Sequence, residues 1–528
     1  MVKVIYVPLD ERACNYYFPQ SLAKITDNIE LLVPPYEKMG SLKKPADYEF
    51  IWKWIFDNAR ECQYAILSVD TLVYGNIVNS RTHHRTCEEC GQSLENFRKL
   101  KQLNPGIKIH AFNLVARVAG YDSAHEDPDY WGECGRDIWR YTCLMDKIDR
   151  GQAEAGEKEE FDILKHKIPE EYLKDFLDRR VVDQFTNLYC IELVRDNIFE
   201  ILTVPKDDTA EYGYAAIDQS AIAKKVVEYR LMDRVLVYPG ADEVGCVLFT
   251  RIFNLVNQYT PRVYVRYSSV LGPAIIPKYE DRPLHESIKA QITSLGGISE
   301  DSANCSDCML AVNSPGKYMI ESSEQYAKDL TFSSHINMHE IIRYISYYRS
   351  VYGKAAGIAE VSVANGCESE FMDYALISGV LHEVQAVGGW NTAQNTIGVV
   401  LAKTVIASYY QCFKNDSKKY RLSEEIKVRD IVCDWLYQSN VLFKFILSTE
   451  GRIDPYHLKS HYNEAIEFFE TGLNDMIAEK FQGTYKGAQI ILKNLRFNWD
   501  GVFYIDFDIE LEGLKSGPFS KSNNAAGR

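Results

Sequence analysis

What the sequence lacks narrows it first. No run approaches the roughly 18 uncharged apolar residues that a membrane-crossing helix requires. Residues 1–7 pass straight into a β-rich run and show neither the apolar core nor the cleavage site of a secretory leader, so a cytoplasmic protein is expected. Positive charge is in deficit: 59 Lys and Arg stand against 74 Asp and Glu, a formal charge of −15. That sign disfavours phosphate backbones and anionic lipids, so neither nucleic acid nor membrane is an expected partner. There is no phosphate-binding loop, no dinucleotide fingerprint and no serine nucleophile turn, and no cofactor is expected. The 13 Cys are scattered through apolar segments, which fits a reducing compartment better than a disulfide framework.

What is present is ample material for a core: 46% of the 528 residues are hydrophobic, and Tyr alone numbers 35. Short β-rich runs recur at residues 2–8, 30–33, 64–69, 108–112, 234–237, 262–265, 309–312, 357–363 and 385–387, with helical patterns between them. If the run at 30–33 is accessory, eight strand–helix units remain. Eight such units predict a closed (β/α)8 TIM-like barrel, with an open doubly wound sheet as the alternative. Residues 131–232 read as a long, mostly helical insertion. The catalytic barrel is expected over 1–414. A mainly helical domain with a small β-hairpin is expected over 415–514, and a disordered tail over 515–528.

Polar residues gather just after the ends of these runs. Asp10 and Arg12 follow the first; Asp70, Asn113 and Arg117 follow later ones. Asp242 and Glu243 follow the run at 234–237, Tyr267 the next, and Asn365, Trp390 and Asn391 the last two. In a barrel these strand ends share one face, where active sites lie. Asp242 and Glu243 stand side by side between a strand and a helix, and adjacent like charges raise the proton affinity of at least one carboxyl, as a general acid needs. Acidic residues also favour a helix start for electrostatic reasons alone. Trp390, behind a glycine pair, offers an aromatic face for a sugar ring, or packs in the core. Arg12 can form a salt bridge to Asp10 or Glu11.

Two resemblances bear on these motifs. Pro8-Leu-Asp-Glu-Arg12 with Asn15, Gly240-Ala-Asp-Glu-Val-Gly245 and Gly389-Trp-Asn-Thr-Ala-Gln-Asn-Thr-Ile-Gly398 together resemble the bacterial domain-of-unknown-function family 4127, with Ala13 where that family usually has Pro. Separately, Gly240-Ala-Asp-Glu-Val is similar to the Asp-Glu segment of glycoside hydrolase family 20 β-N-acetylhexosaminidases, although Tyr238 stands where those enzymes carry His or Asn. Those enzymes are (β/α)8 barrels with the pair after strand four. This second resemblance implies substrate-assisted, retaining exo-hydrolysis of β-linked N-acetylhexosamine, GalNAc or GlcNAc. Asp242 would orient the acetamide, Glu243 would act as acid and base, and Tyr267 would bond the acetamide oxygen. Asp10, Arg12, Asp70, Asn113, Arg117, Asn365, Trp390 and Asn391 would bind the sugar.

The partner expected is therefore a small carbohydrate; a homo-oligomer is left open. A glycosidase with distant carboxylates acting on sugars without an acetamide is one alternative, and a non-catalytic sugar-binding barrel another. Cys87-Glu-Glu-Cys90 and Cys305-Ser-Asp-Cys308 have zinc-knuckle spacing but lie more than 200 residues apart, so no metal is assigned. The cluster His125-Glu126-Asp127-Asp129 reads as a charged loop sooner than a cation site.

Overall fold

The run Val-Lys-Val-Ile-Tyr-Val forms β1 (Val2–Val7), and its last four residues are all buried, as in a strand covered on both faces. In the computed structural model, which describes residues 1–413 and 416–515, this strand lies inside a parallel sheet. After it come α1 (Ala13–Ile25), β2 (Ile29–Leu32), α2 (Tyr48–Asn58), β3 (Tyr64–Ser68), α3 (Cys87–Leu103) and β4 (Lys108–Phe112). Then follow α4 (Trp131–Asp149), α5 (Glu170–Arg195), β5 (Phe199–Lys206), α6 (Tyr214–Tyr229), β6 (Val235–Pro239) and α7 (Val244–Val256). The six strands run parallel in the order β2-β1-β3-β4-β5-β6. They belong to the first of two units, which comprises residues 1–23, 27–252 and 279–282.

Alternation along the strands assigns the faces of this sheet. Ile5, Val7, Leu67, Ala111, Leu202 and Val204 join one core with Trp52 of α2, Phe97 of α3, Ile191 of α5 and Ile222 of α6. Tyr6 and His110 alternate with these residues. A Cβ on Gly245 of α7 would lie 2.3 Å from Tyr6 Oη and 3.1 Å from Pro19 Cγ of α1. His110 is fully buried; burial first, and then Arg251 of α7, hold its imidazole down to a pKa of about 3. Helices α1 and α7 therefore share this second face. The turns that lead into them, residues 8–12 and 240–243, meet at the C-terminal ends of the strands.

The second unit comprises residues 24–26, 253–278 and the chain from 283 on. It contains β7 (Arg262–Tyr267), α8 (Leu284–Ser294), β8 (Ile298–Glu300), β9 (Cys308–Asn313), α9 (Met338–Tyr352), β10 (Ala355–Glu360), β11 (Ala386–Gly388) and α10 (Ala393–Tyr409). The strands are again parallel, in the order β8-β7-β9-β10-β11. Next come α11 (Ser417–Asp430), a π-helical segment (Ile431–Val441), α12 (Leu442–Thr449) and α13 (Tyr462–Phe481). An antiparallel hairpin of β12 (Ala488–Phe497) and β13 (Ile505–Glu512) closes the described chain. Residues 415–514 were expected as a domain of their own; in the described part, Trp435, Phe469 and Phe507 pack in the same hydrophobic cluster as Ile358 of β10 and Ile345 of α9.

Three expectations change here. The strands form two open sheets rather than one ring of eight. A (β/α)8 ring needs each strand to add beside its predecessor, whereas β3 and β9 dock on the other side of β1 and β7 from β2 and β8, so the order reverses within each unit. The run at 30–33 is not accessory, because β2 pairs with β1 from Val2↔Ile29 to Ile5↔Leu32. The presumed insertion at 131–232 contains β5, paired on both sides, whose Phe-Glu-Ile-Leu-Thr-Val sequence has ordinary strand chemistry. The Asp-Glu turn thus follows the sixth strand of the chain, not the fourth. Of the expected tail, residues 516–528 lie outside the described residues. Among the described residues, no helix is long and apolar enough to cross a membrane.

Candidate functional site

Arg12 is the hub of the polar ends of the first sheet. Its Nη2 donates to Asp242 Oδ1 and to Asp10 Oδ2, each at 2.6 Å, and its Nη1 donates to Asp242 Oδ2 at 3.1 Å. The Arg12 Nε donates to Asp10 Oδ2 at 2.9 Å. Asn15, from the first turn of α1, donates through Nδ2 to Asp10 Oδ1 and Asp242 Oδ1, both at 2.9 Å. All four side chains are nearly inaccessible to solvent. Burial raises the Asp242 pKa, and the Arg12 charge opposes the rise. Of the pairings expected for Arg12, the one with Asp10 is made; Asp242, from across the face, is a partner the sequence reading did not name.

Glu243 is fully buried, and its carboxylate turns back to accept from the Ala241 N–H at 2.9 Å. Gly240 makes room for this. It has φ +133°, and a Cβ there would fall 2.4 Å from Glu243 Oε1.

Around Arg12 lies a wider charged network. Arg81 donates to Asp207 at 2.6 Å and Glu126 at 3.1 Å; Arg117 reaches Glu126, Asp127 and Asp208 at 3.2, 3.3 and 3.2 Å. Burial alone would raise Glu126, but Arg117, Arg81 and Arg12 pull its carboxyl down to about 2. Asp208, beside Asp207, is pushed up to about 6, chiefly by burial. The loop at 125–129 therefore serves ion pairs: Glu126 and Asp127 hold arginines, and Asp129 meets Lys43 at 2.7 Å. Among the described residues, no group of three or more His, Cys, Asp or Glu side chains is arranged to hold a metal ion.

Asp70 and Asn113 meet beside the order reversal, at the C-terminal ends of β3 and β4. Asn113 Nδ2 donates to Asp70 Oδ1 at 3.2 Å, and the Leu114 N–H donates to Oδ2 at 3.0 Å. Burial outweighs these bonds and pushes the Asp70 carboxyl up to about 7.

The remaining expected site residues lie in the second unit. Tyr267 Oη bonds His285 Nδ1 at 2.8 Å, and burial raises its pKa. Asn365, at φ +57°, donates through Nδ2 to Glu321 at 2.9 Å, and its N–H bonds the Asn391 carbonyl at 3.0 Å. Trp390 stands edge-on to Tyr504, ring centroids 5.1 Å apart. Asp434 of the π-helical segment accepts from the Gly389 N–H at 2.9 Å and so fixes the turn that carries Trp390 and Asn391. This unit has its own buried network, Ser268–Asn313–Glu360–Ser362, in which burial pushes Glu360 up to about 7.

Sequence reasoning did not select Asn15, Arg81, Asp207, Asp208, Glu360 or Asp434. Asn15 lay within a motif and was recoverable. Asp207 and Asp208 were hidden because β5 was read as helix.

Among known families, the chain matches the model described as protein of unknown function (DUF4127) over residues 4–508, and it belongs to that family. No curated protein and no solved structure matches it.

Proposed function

We propose that this DUF4127 member is a glycoside hydrolase that removes terminal β-linked N-acetylhexosamine, GalNAc or GlcNAc, by substrate-assisted catalysis. The observation that carries the reading is the adjacent pair Asp242–Glu243 at a strand's C-terminal end, with Asp242 clamped by Arg12 and Asn15. Two neighbouring carboxylates with one immobilised suit a reaction whose nucleophile comes from the substrate, the exception to the usual separated pair.

In this proposal the acetamide carbonyl oxygen attacks C1 and the C1–O glycosidic bond breaks. Glu243 gives its proton to the leaving oxygen, while Asp242 faces the acetamide N–H and balances the charge that develops there. Glu243 then takes a proton from water as that water opens the oxazoline, which restores the acetamide and retains the β configuration. For the first step the Glu243 carboxyl must turn out from the Ala241 N–H, a rotation of one side chain. The chemistry needs no cofactor. All 13 cysteines are free thiols, which suits the cytoplasmic location proposed with it.

A second reading rests on Asp70. A buried carboxyl at about 7 is a fitting general acid at neutral pH, and it would serve a glycosidase acting on sugars without an acetamide. A thiazoline analogue of the bicyclic intermediate separates the two. Strong competitive inhibition by it, with no hydrolysis of a plain β-galactoside, supports the acetamide mechanism. Hydrolysis of the galactoside at a comparable rate sinks it.

A further inference from the structure

The strand ends of the first unit that carry Asp242 carry a second polar group. Val115 and Lys206 form a parallel bridge, Lys206 faces Pro239 of β6, and the Gly240 N–H donates to the Lys206 carbonyl at 3.0 Å. This order of chains sets Asp208, two residues past Lys206, between Arg117 and the turn of Asp242. Arg117 donates through Nη1 to Asp208 Oδ2 at 3.2 Å and through Nη2 to Tyr121 Oη at 2.6 Å, so one guanidinium holds both groups. Resting on the glycosidase reading of Asp242 and Glu243, we infer that Tyr121 and Asp208 form the subsite that grips the sugar ring. Tyr121 stacks on the apolar face of the sugar, and Asp208 accepts from its hydroxyls.

Three observations point there. The first is access: Tyr121 is 42% exposed and the Asp208 side chain 28%, the most open members of a network whose Arg81, Asp127 and Asp207 are buried. The second is hydrogen bonding. Glu126 Oε2 accepts from both Arg81 and Arg117, whereas Asp208 accepts at Oδ2 alone, and its Oδ1 meets no donor among the described residues. The third is charge. Arg81 and Arg117 face Asp207, Glu126, Asp127 and Asp208, two carboxylates more than guanidiniums. That balance disfavours an anionic ligand, and a carboxylate oxygen without a protein donor takes neutral hydroxyls.

Both groups are also fixed in place. Asp208 has φ +36°, a conformation that a residue with a side chain keeps only where its surroundings enforce it. The turn before Tyr121 rests on Trp139, which lies 3.2 Å from where a Cβ on Gly120 would stand. A merely solvated loop is the competing account, and under it neither side chain affects sugar affinity.

The test uses the full chain. On p-nitrophenyl β-GalNAc and β-GlcNAc, KM should rise ~10-fold or more in Tyr121→Ala and in Asp208→Asn, with kcat within ~3-fold of wild type and Tyr121→Phe close to wild type throughout. Free GalNAc and GlcNAc serve as binding probes: saturation-transfer NMR should detect at least one on the wild type and neither on Tyr121→Ala or Asp208→Asn. Unmoved KM and unchanged sugar binding in both variants overturn the inference and leave the proposed hydrolase standing. A wild type that binds sugar without hydrolysing either glycoside, with binding lost in the variants, removes the hydrolase and keeps the subsite. A wild type that neither binds nor hydrolyses overturns both. Thermal unfolding checks that the variants fold, and if Asp208→Asn does not, Tyr121→Ala decides alone.

Discussion

At Asp242 burial and charge pull in opposite directions. Removal from water favours the neutral carboxyl, while Arg12 and Asn15 favour the anion, and the same side chains tie two distant turns into one cluster. Asp242→Asn takes one carboxylate from Arg12 while the bonds to Asp10 remain, and a stability loss of ~2–3 kcal/mol is expected from the charged hydrogen bonds given up. Urea unfolding of variant and wild type measures it. Asp70 makes a prediction of opposite character. The unfolded chain ionises this carboxyl near its ordinary value, whereas the folded chain keeps it protonated to about 7. Between those values the folded state binds more protons, so the Asp70 contribution to stability falls as pH rises from about 4 to 7 and is level beyond. Asp70→Asn removes this slope. Its Tm relative to wild type should climb across that window, and a constant difference would mean that Asp70 is ionised throughout.

Among the elements, α1 and α7 decide where the site forms. They share one face of the first sheet because Gly245 lets α7 approach Tyr6 and Pro19. Gly245→Ala places a methyl 2.3 Å from Tyr6 Oη, and overpacking of this kind is expected to cost ~1–3 kcal/mol. Tyr6→Phe in the same chain should recover part of the loss by removing the atom that is struck, although the Asn15 carbonyl then loses its donor. Thermal unfolding of the single and double variants checks both statements.

The strands were legible where apolar runs ended in turn residues, as at β1, β3, β4 and β6. β5 was not, because Phe199-Glu-Ile-Leu-Thr-Val follows a 26-residue helix and its single Glu breaks the apolar run. The gathering of Asp10, Arg12 and Asp242 was readable from the rule that polar strand ends share a face. The choice between a ring and two sheets was not. It turns on which side of β1 and β7 the next strand docks, and no local residue pattern records that choice.

Over the whole molecule, each parallel sheet reverses its order next to its first strand, and each carries a buried polar network at its strand ends. The formal charge of −15 sets the expected partners: no retention on heparin at neutral pH, and firm binding to an anion exchanger. The central claim concerns Asp242 and Glu243, and release of p-nitrophenol from its β-GalNAc and β-GlcNAc glycosides tests it most directly. The account predicts turnover of at least one by the wild type, with kcat/KM reduced ~10²-fold or more in folded Asp242→Asn and Glu243→Gln. Turnover that survives both substitutions, or a wild type inert on both glycosides, would contradict it.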